Sequence, residues 1–233
     1  MRKSLFKMGV VTLLMLLVAG AALADAEPKR LQVSGTAVVT GDPDIAYITV
    51  GVETQNPSAE KAAQDNASIM AQVLAALREM GLTEKEVSTS GYNIWGSTQT
   101  VNRGTDKEET VTTYWVQNRI NITTKNLDSV GEIVDRAVKA GANQVQGIRF
   151  DVQDKQALQL EALKLAVQQG MGKAEAMAEA AGVTLGELVS MSESYSSYAP
   201  MVRAVAYADA AVGTSISPGE VEVSASVQME FAF

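Results

Sequence analysis

Period-two alternation constrains this chain more than any other feature. Leu31, Val33, Gly35, Ala37 and Val39 alternate with polar residues, and Ala46, Ile48, Val50 and Val52 repeat the pattern beyond Gly41-Asp42-Pro43-Asp44. Successive side chains of a strand point to opposite faces, so such stretches demand a sheet with one face covered. The Gly/Asp/Pro interruption predicts that the two runs form an antiparallel hairpin over Leu31 to Asn56. The alternation is cleanest at the other end. There Val221, Val223, Ala225, Val227, Met229, Phe231 and Phe233 share one face, with Glu220, Glu222, Ser224, Ser226, Gln228 and Glu230 on the other.

Between these ends the apolar period changes to that of helices. Asn56 and Ser58 flank Pro57, a capped start with Pro in the first turn. Ala59, Ala62, Ala63, Ala67, Met70, Leu74 and Leu77 then keep helical spacing until Gly81. Strands are predicted from Val87 to about Thr100 and from Thr110 to Thr123, joined by the polar loop VNRGTDKEE. Tyr114, Val116, Ile120 and Ile122 share one face of the second strand, while Trp115 and Arg119 take the other. A second helix, capped by Asn126, carries Leu127, Val130, Val134, Ala137 and Val138, and Gly141 stops it. A strand follows from Gln144 to Val152. A third helix opens at Asp154, with Leu160, Leu163, Val167, Gly170, Ala174, Met177 and Ala181 as its stripe and Gly182 at its end. Two glycines inside it, Gly170 and Gly172, each cost about 1 kcal/mol relative to Ala in an exposed helix, which close packing on a sheet would offset. A strand over Leu185 to Ser197 precedes a long apolar connection, Tyr198 to Pro218, and then the closing strand. The order is ββαββαβαββ: an α+β fold, mostly antiparallel in one sheet or two, with three helices against one face.

Residues 1–24 read as a signal peptide. Arg2, Lys3 and Lys7 precede the apolar run Met8 to Val18, and Ala22-Leu23-Ala24 offers a cleavage site after Ala24. The run is short for a bilayer span, so the mature chain is expected to be periplasmic, with no transmembrane span. Residues 25–30 then form a short linker and residues 31–233 a single domain. Without the leader the chain holds 16 Lys and Arg against 27 Asp and Glu, a net charge of −11. Such a surface disfavours nucleic acid.

The chain has no His and no Cys. That removes His-dependent triads, thiol catalysis and the usual zinc ligand sets. No cofactor and no metal site is implied, and no catalytic residue stands out. Asp42-Pro43-Asp44 could pair carboxylates for acid/base work or calcium, but turn chemistry accounts for it better. Asp154 reads as a helix cap. The serines along Ser190 to Ser197 lack a GxSxG or SxxK setting and read as the solvent face of a strand. Trp95 and Trp115 fall on the central hairpin, where strand aromatics either pack across strands or form a platform for a sugar or peptide. The closing strand resembles the last strand of an outer-membrane barrel, but three amphipathic helices leave too few strands to close one.

In this order the elements resemble the SIMPL-domain family (DUF541), whose bacterial members include 26 kDa periplasmic immunogenic proteins. The resemblance spans about residues 31 to 233. It rests on VSGTAVVTGDPDIAYITVGV, LREMGLTEKEVSTSGYNI, AGANQVQGIRF, KAEAMAEAAGVTLGELVSMSES and ISPGEVEVSASVQMEF. It implies an α+β fold, an envelope location and an association with stress tolerance, and it carries no catalytic residues. Two functions are therefore expected. The first is a non-enzymatic, self-associating envelope protein. Its contacts would be Met201, Val202, Val205, Tyr207 and Val212 of the apolar connection, together with Trp95 and Trp115. The alternative is a glycan- or peptide-binding module, or a carboxylate-dependent enzyme, acting on envelope material.

Overall fold

A computed structural model of the chain describes residues 29–198 and 214–233. The expected leader lies outside the described residues, as do Met201, Val202, Val205, Tyr207 and Val212. The described elements are, in order, β1 (Arg30–Gly41), β2 (Ile45–Asn56), α1 (Ala59–Glu79), β3 (Val87–Val101), β4 (Glu109–Thr124), α2 (Val130–Lys139), β5 (Gln144–Asp151), α3 (Gln156–Ala181), β6 (Leu188–Tyr198) and β7 (Val221–Ala232). A short 3-10 turn, Leu127–Ser129, leads into α2. The strands form two antiparallel sheets, β1-β7-β6 and β3-β4-β2-β5. The α+β class and the order ββαββαβαββ are those read from the sequence.

The predicted hairpin of β1 and β2 does not form. β1 pairs with β7, placing Leu31 opposite Phe231 and Gly41 opposite Val221. β2 runs between β4 and β5, with Ile48 opposite both Ile122 and Ile148. At Gly41–Asp44 the chain steps from one sheet to the other. The crossing is pinned to the β5–α3 connection. The Asp44 N–H donates to the Asp151 carbonyl at 3.0 Å, and Asp44 Oδ1 accepts from the Gln153 N–H at 2.7 Å. Alternation fixes which face of a strand is buried, but not which strand lies beside it.

The four-stranded sheet is covered on one face by α1 and α2. Ile48, Val50, Val52, Ile120, Ile122 and Phe150 meet Met70, Val73, Leu77, Ile133 and Val134 in one core. The expected start of α1 holds: Ser58 Oγ accepts from the Lys61 N–H at 3.4 Å, and Asn56 Oδ1 accepts from the Ser58 N–H at 3.0 Å. The buried stripe passes through Asn66 rather than the exposed Ala67. Asn66 Nδ2 donates to the carbonyls of Val52 at 2.9 Å and Val116 at 3.0 Å, so an amide ties the helix to two strands. Asn126 makes no side-chain cap to the turn it precedes.

Among the described residues the three-stranded sheet is covered by α3, which lies across β1 and β7. The residues buried against the sheet are Ala162, Ala166, Gly170, Ala174 and Ala178. Of the expected stripe Gly170 and Ala174 hold, Leu163 and Val167 pack partly buried at its flank, and Leu160, Met177 and Ala181 are exposed. Leu160 and Met177 are each 48% exposed. The cause is Gly35. A Cβ there would fall 1.9 Å from the Ala166 carbonyl oxygen and 2.8 Å from the Gly170 nitrogen. Helix and strand approach backbone to backbone, and only Ala or Gly fits between them. Gly170 is thereby explained; Gly172 has nothing within 4 Å, and no contact explains it. β6 lies beyond the reach of α3. The strand expected there forms, and its residues 188–196 are all exposed, with Met191 at 53% and Tyr195 at 40%.

Candidate functional site

The chemistry on the surface gathers on the face of the four-stranded sheet that no helix among the described residues covers, its bare face. Since Ile48, Val50, Val52, Ile120 and Ile122 point at the helices, their neighbours Tyr47, Thr49, Gly51, Glu53, Gln117, Arg119 and Asn121 point away. Trp95 and Trp115 stand directly opposite each other on β3 and β4. Their rings stack with centroids 6.3 Å apart and planes 9° from parallel. The pair expected from the sequence is therefore assembled, and Trp95 is still 38% exposed.

Below the tryptophans runs a row of amides. Gln117 Nε2 donates to Gln144 Oε1, and Gln144 Nε2 donates to Glu53 Oε2 at 2.9 Å. Arg119 NH1 donates to Gln146 Oε1 at 3.2 Å, and Thr49 Oγ1 donates to Asn121 Oδ1 at 3.0 Å. The row ends where the Arg149 guanidinium lies 4.5 Å over the Tyr47 ring. A shallow cavity of about 440 Å³ opens there, lined by Tyr47, Thr49, Asn121, Gln146 and Arg149 among others. The sequence reading set Arg119 beside Trp115 on this face. It missed Tyr47, Gln144, Gln146 and Arg149, because their neighbours depend on β5 pairing with β2.

A larger cavity of about 560 Å³ lies between the end of α1 and the start of α2, lined by Glu79, Glu86, Thr124, Glu132 and Arg136 among others. Two of its acids are committed to structure. The Thr83 N–H and hydroxyl both donate to Glu86 Oε2, at 2.8 and 2.7 Å, and hold its carboxyl below the usual range. Glu132 pairs with Arg136 at 3.7 Å. An acid kept ionised in this way suits neither a general acid nor a shared proton. Among the described residues no group of three or more His, Cys, Asp or Glu is placed to hold a metal ion.

Two of the acids named from the sequence, Asp44 and Asp154, serve the backbone. Asp44 ties the crossing already described. Asp154 Oδ1 accepts from the Gln156 N–H at 2.9 Å, a cap-like contact at the start of α3. Asp151 is buried and neutralised by Arg149 at 3.1 Å and Lys155 at 2.8 Å. The serines at 190, 192, 194 and 196 are exposed, and Ser190 Oγ donates to Glu230 Oε2 at 3.1 Å. No nucleophile–base pair arises among them.

Among the described residues no helix is long and apolar enough to cross a membrane. A family model described as "SIMPL: Protein of unknown function (DUF541)" matches residues 31–231. The chain is 33% identical over 172 residues to a 26 kDa periplasmic immunogenic protein of Brucella melitensis, covering 72% of this chain and 67% of that protein. It is 32% identical to the protein of the same description in Brucella abortus, over 72% of this chain and 67% of that one. It is 27% identical over 229 residues to the uncharacterized protein YggE of Escherichia coli K12, covering 97% of this chain and 90% of that protein. With the family's match running from the start of β1 almost to the end of β7, the chain belongs to the SIMPL family of proteins of unknown function.

Proposed function

We propose that the mature chain is an exported, periplasmic, non-catalytic protein that self-associates through β6 and the apolar residues that follow it in the sequence, Met201, Val202, Val205, Tyr207 and Val212, and that its assembly supports envelope integrity under stress. One observation carries this reading: the two edges of the three-stranded sheet are treated differently. The β1 edge is guarded by α3. Gln169 Oε1 accepts from the Thr36 N–H at 2.8 Å, and Lys173 Nζ donates to the Ser34 carbonyl at 2.8 Å. The β6 edge has no such cover among the described residues. It is 11 residues long, contains one charged residue, Glu193, and no Pro. Leu188, Val189, Met191 and Tyr195 on it are each at least 40% exposed.

Edge strands left unpaired are normally blunted by charge, Pro or a covering element. An open edge flanked by exposed apolar side chains marks a contact surface. In the sequence β6 runs on directly to Met201, Val202, Val205, Tyr207 and Val212, which extend the same apolar character. Export is supported by the basic, apolar and A-x-A segments of residues 1–24. A periplasmic location is supported by the description of the Brucella relatives. The absence of His and Cys supports a role without catalysis. The test is light scattering on residues 25–233 carrying Val202→Ser, Val205→Ser and Tyr207→Ser. The variant is expected to have a smaller mass than the parent chain; an unchanged mass contradicts the reading.

A further inference from the structure

We propose that the bare face of the four-stranded sheet binds a glycan chain bearing carboxylate groups, with Arg119 as the anchor for the acid. This goes beyond self-association through β6 and does not depend on it, because the face lies on the other sheet.

Arg119 is set between two irregularities. On β3 the register shifts between Thr89 and Gly91, and on β5 the residue left over opposite Thr49 and Val50 is Gln146. Each is a β-bulge, a device that re-aims side chains and recurs beside functional sites. The first places Gly91 against Arg119, where an added Cβ would lie 3.5 Å from Nε. The second turns Gln146 onto the bare face, where its Oε1 accepts from Arg119 NH1 at 3.2 Å. Arg119 thus spends a contact on a neutral amide, and among the described residues no carboxylate pairs with it. The carboxylate on the same face, Glu53, accepts from Gln144 instead, so against the repulsion of an acidic chain the Arg119 guanidinium is left as the local site for an anion, with the fork geometry a carboxylate fits.

The surroundings specify what carries the acid. Along β4, Trp115 lies four residues from Arg119 on one side. Gly51 faces Arg119 on β2, and Tyr47 lies four residues from Gly51 on the other side. Each step is about 13 Å at strand rise. Trp95, 38% exposed beside Trp115, offers a ring at one end for the apolar face of a sugar, while the Tyr47 ring at the other end is already covered on one side by the Arg149 guanidinium. Gln117, Gln144, Gln146 and Asn121 between them each donate and accept, as sugar hydroxyls do. An extended peptide would instead need free backbone groups, and at the middle of a sheet these are already paired. Charge, stacking planes and amide spacing together favour an acidic glycan over a neutral one or a peptide.

The test uses the chain's own fluorophores, since Trp95 and Trp115 are its only tryptophans and both stand on this face. Residues 25–233 are titrated with polygalacturonate, with its methyl ester and with dextran, and tryptophan emission is followed at low and high salt. The expected result is a saturable change with polygalacturonate, roughly tenfold weaker with the ester, as fits loss of one charged hydrogen bond. Arg119→Gln should bind the two polymers alike, and Trp115→Ala should weaken both while Trp95 still reports. Arg119→Lys serves as a folding control that keeps the charge, and should retain part of the preference. Equal binding of acid and ester by the parent chain, or of both and dextran, overturns the proposal. So does no response with any polymer. If Trp115→Ala instead lowers the mass in solution, the face is a contact between copies and the proposal fails. Loss of self-association in the Val202, Val205 and Tyr207 variant with binding retained separates this proposal from the β6 reading.

Discussion

Gly35 sets the distance between α3 and its sheet, and its replacement is the sharpest single-residue test of the fold. The atoms its Cβ would strike are backbone, which cannot rotate away. Gly35→Ala must therefore lift the helix off β1 and loosen Ala162, Ala166 and Gly170 together. Overpacking of this kind costs typically 1–3 kcal/mol, about as much as a buried cavity of modest size. The expected outcome is a lower urea midpoint with an unchanged slope; an unchanged midpoint contradicts the close approach. A second expectation concerns acid. The Thr214 hydroxyl and N–H hold Asp135 below the usual carboxylate range, Thr83 does so for Glu86, and Arg30 with Gln32 does so for Glu230. Each folded pKa lies below its unfolded value. The stability these groups contribute is full above the unfolded value, near pH 4, and is lost as pH falls through the folded one. Urea midpoints should hold steady from pH 7 to about pH 5 and drop below about pH 4. A chain with Asp135→Asn and Glu86→Gln should show a shallower drop, and equal slopes would contradict the assignment.

At the scale of elements, the sequence made legible what rests on local chemistry. Helix starts and stops followed from Ser58, Gly81, Gly141 and Gly182, and the three glycines lie at positive φ. The alternating strands fell where the pattern put them, except that Phe233 lies past the end of β7 and is 42% exposed, and the two faces of β4 were read correctly around Trp115 and Arg119. The stripe of α3 was read only in part: Gly170 and Ala174 lie on it, but large apolar residues usually face a core and Leu160 and Met177 were placed there too. Here a glycine in a distant strand reserves that space for Ala, and Leu160 and Met177 are pushed outward. The exposure of β6 was equally hidden, since it depends on where α3 ends its reach. This strand carries its own prediction. Met191→Lys places a charge on the open edge, where natural edges carry one. It should reduce the mass in solution while leaving thermal stability nearly unchanged, because Met191 is already 53% exposed. A large loss of stability would mean that the strand is covered in the monomer.

At the scale of the whole molecule the chain is two sheet-and-helix layers joined by crossings that alternation cannot foresee. β1 and β2 are neighbours in sequence and strangers in space, because Asp44 and Asp151 fasten the crossing where a hairpin turn was expected. The same arrangement gives the two bare sheet faces separate characters. One carries Ser34, Thr36, Ser224, Ser226 and Gln228 together with the Arg30–Glu230 ion pair. The other has aromatic ends and Arg119 between them. It also leaves β6 open at the margin of the first sheet. Self-association through that margin is the central claim, and the most direct measurement is light scattering behind size exclusion on residues 25–233 over a wide range of concentration and salt. The account predicts a defined oligomer that holds its mass on dilution and at high salt, since an apolar strand edge is little screened. A monomer at every concentration would contradict it.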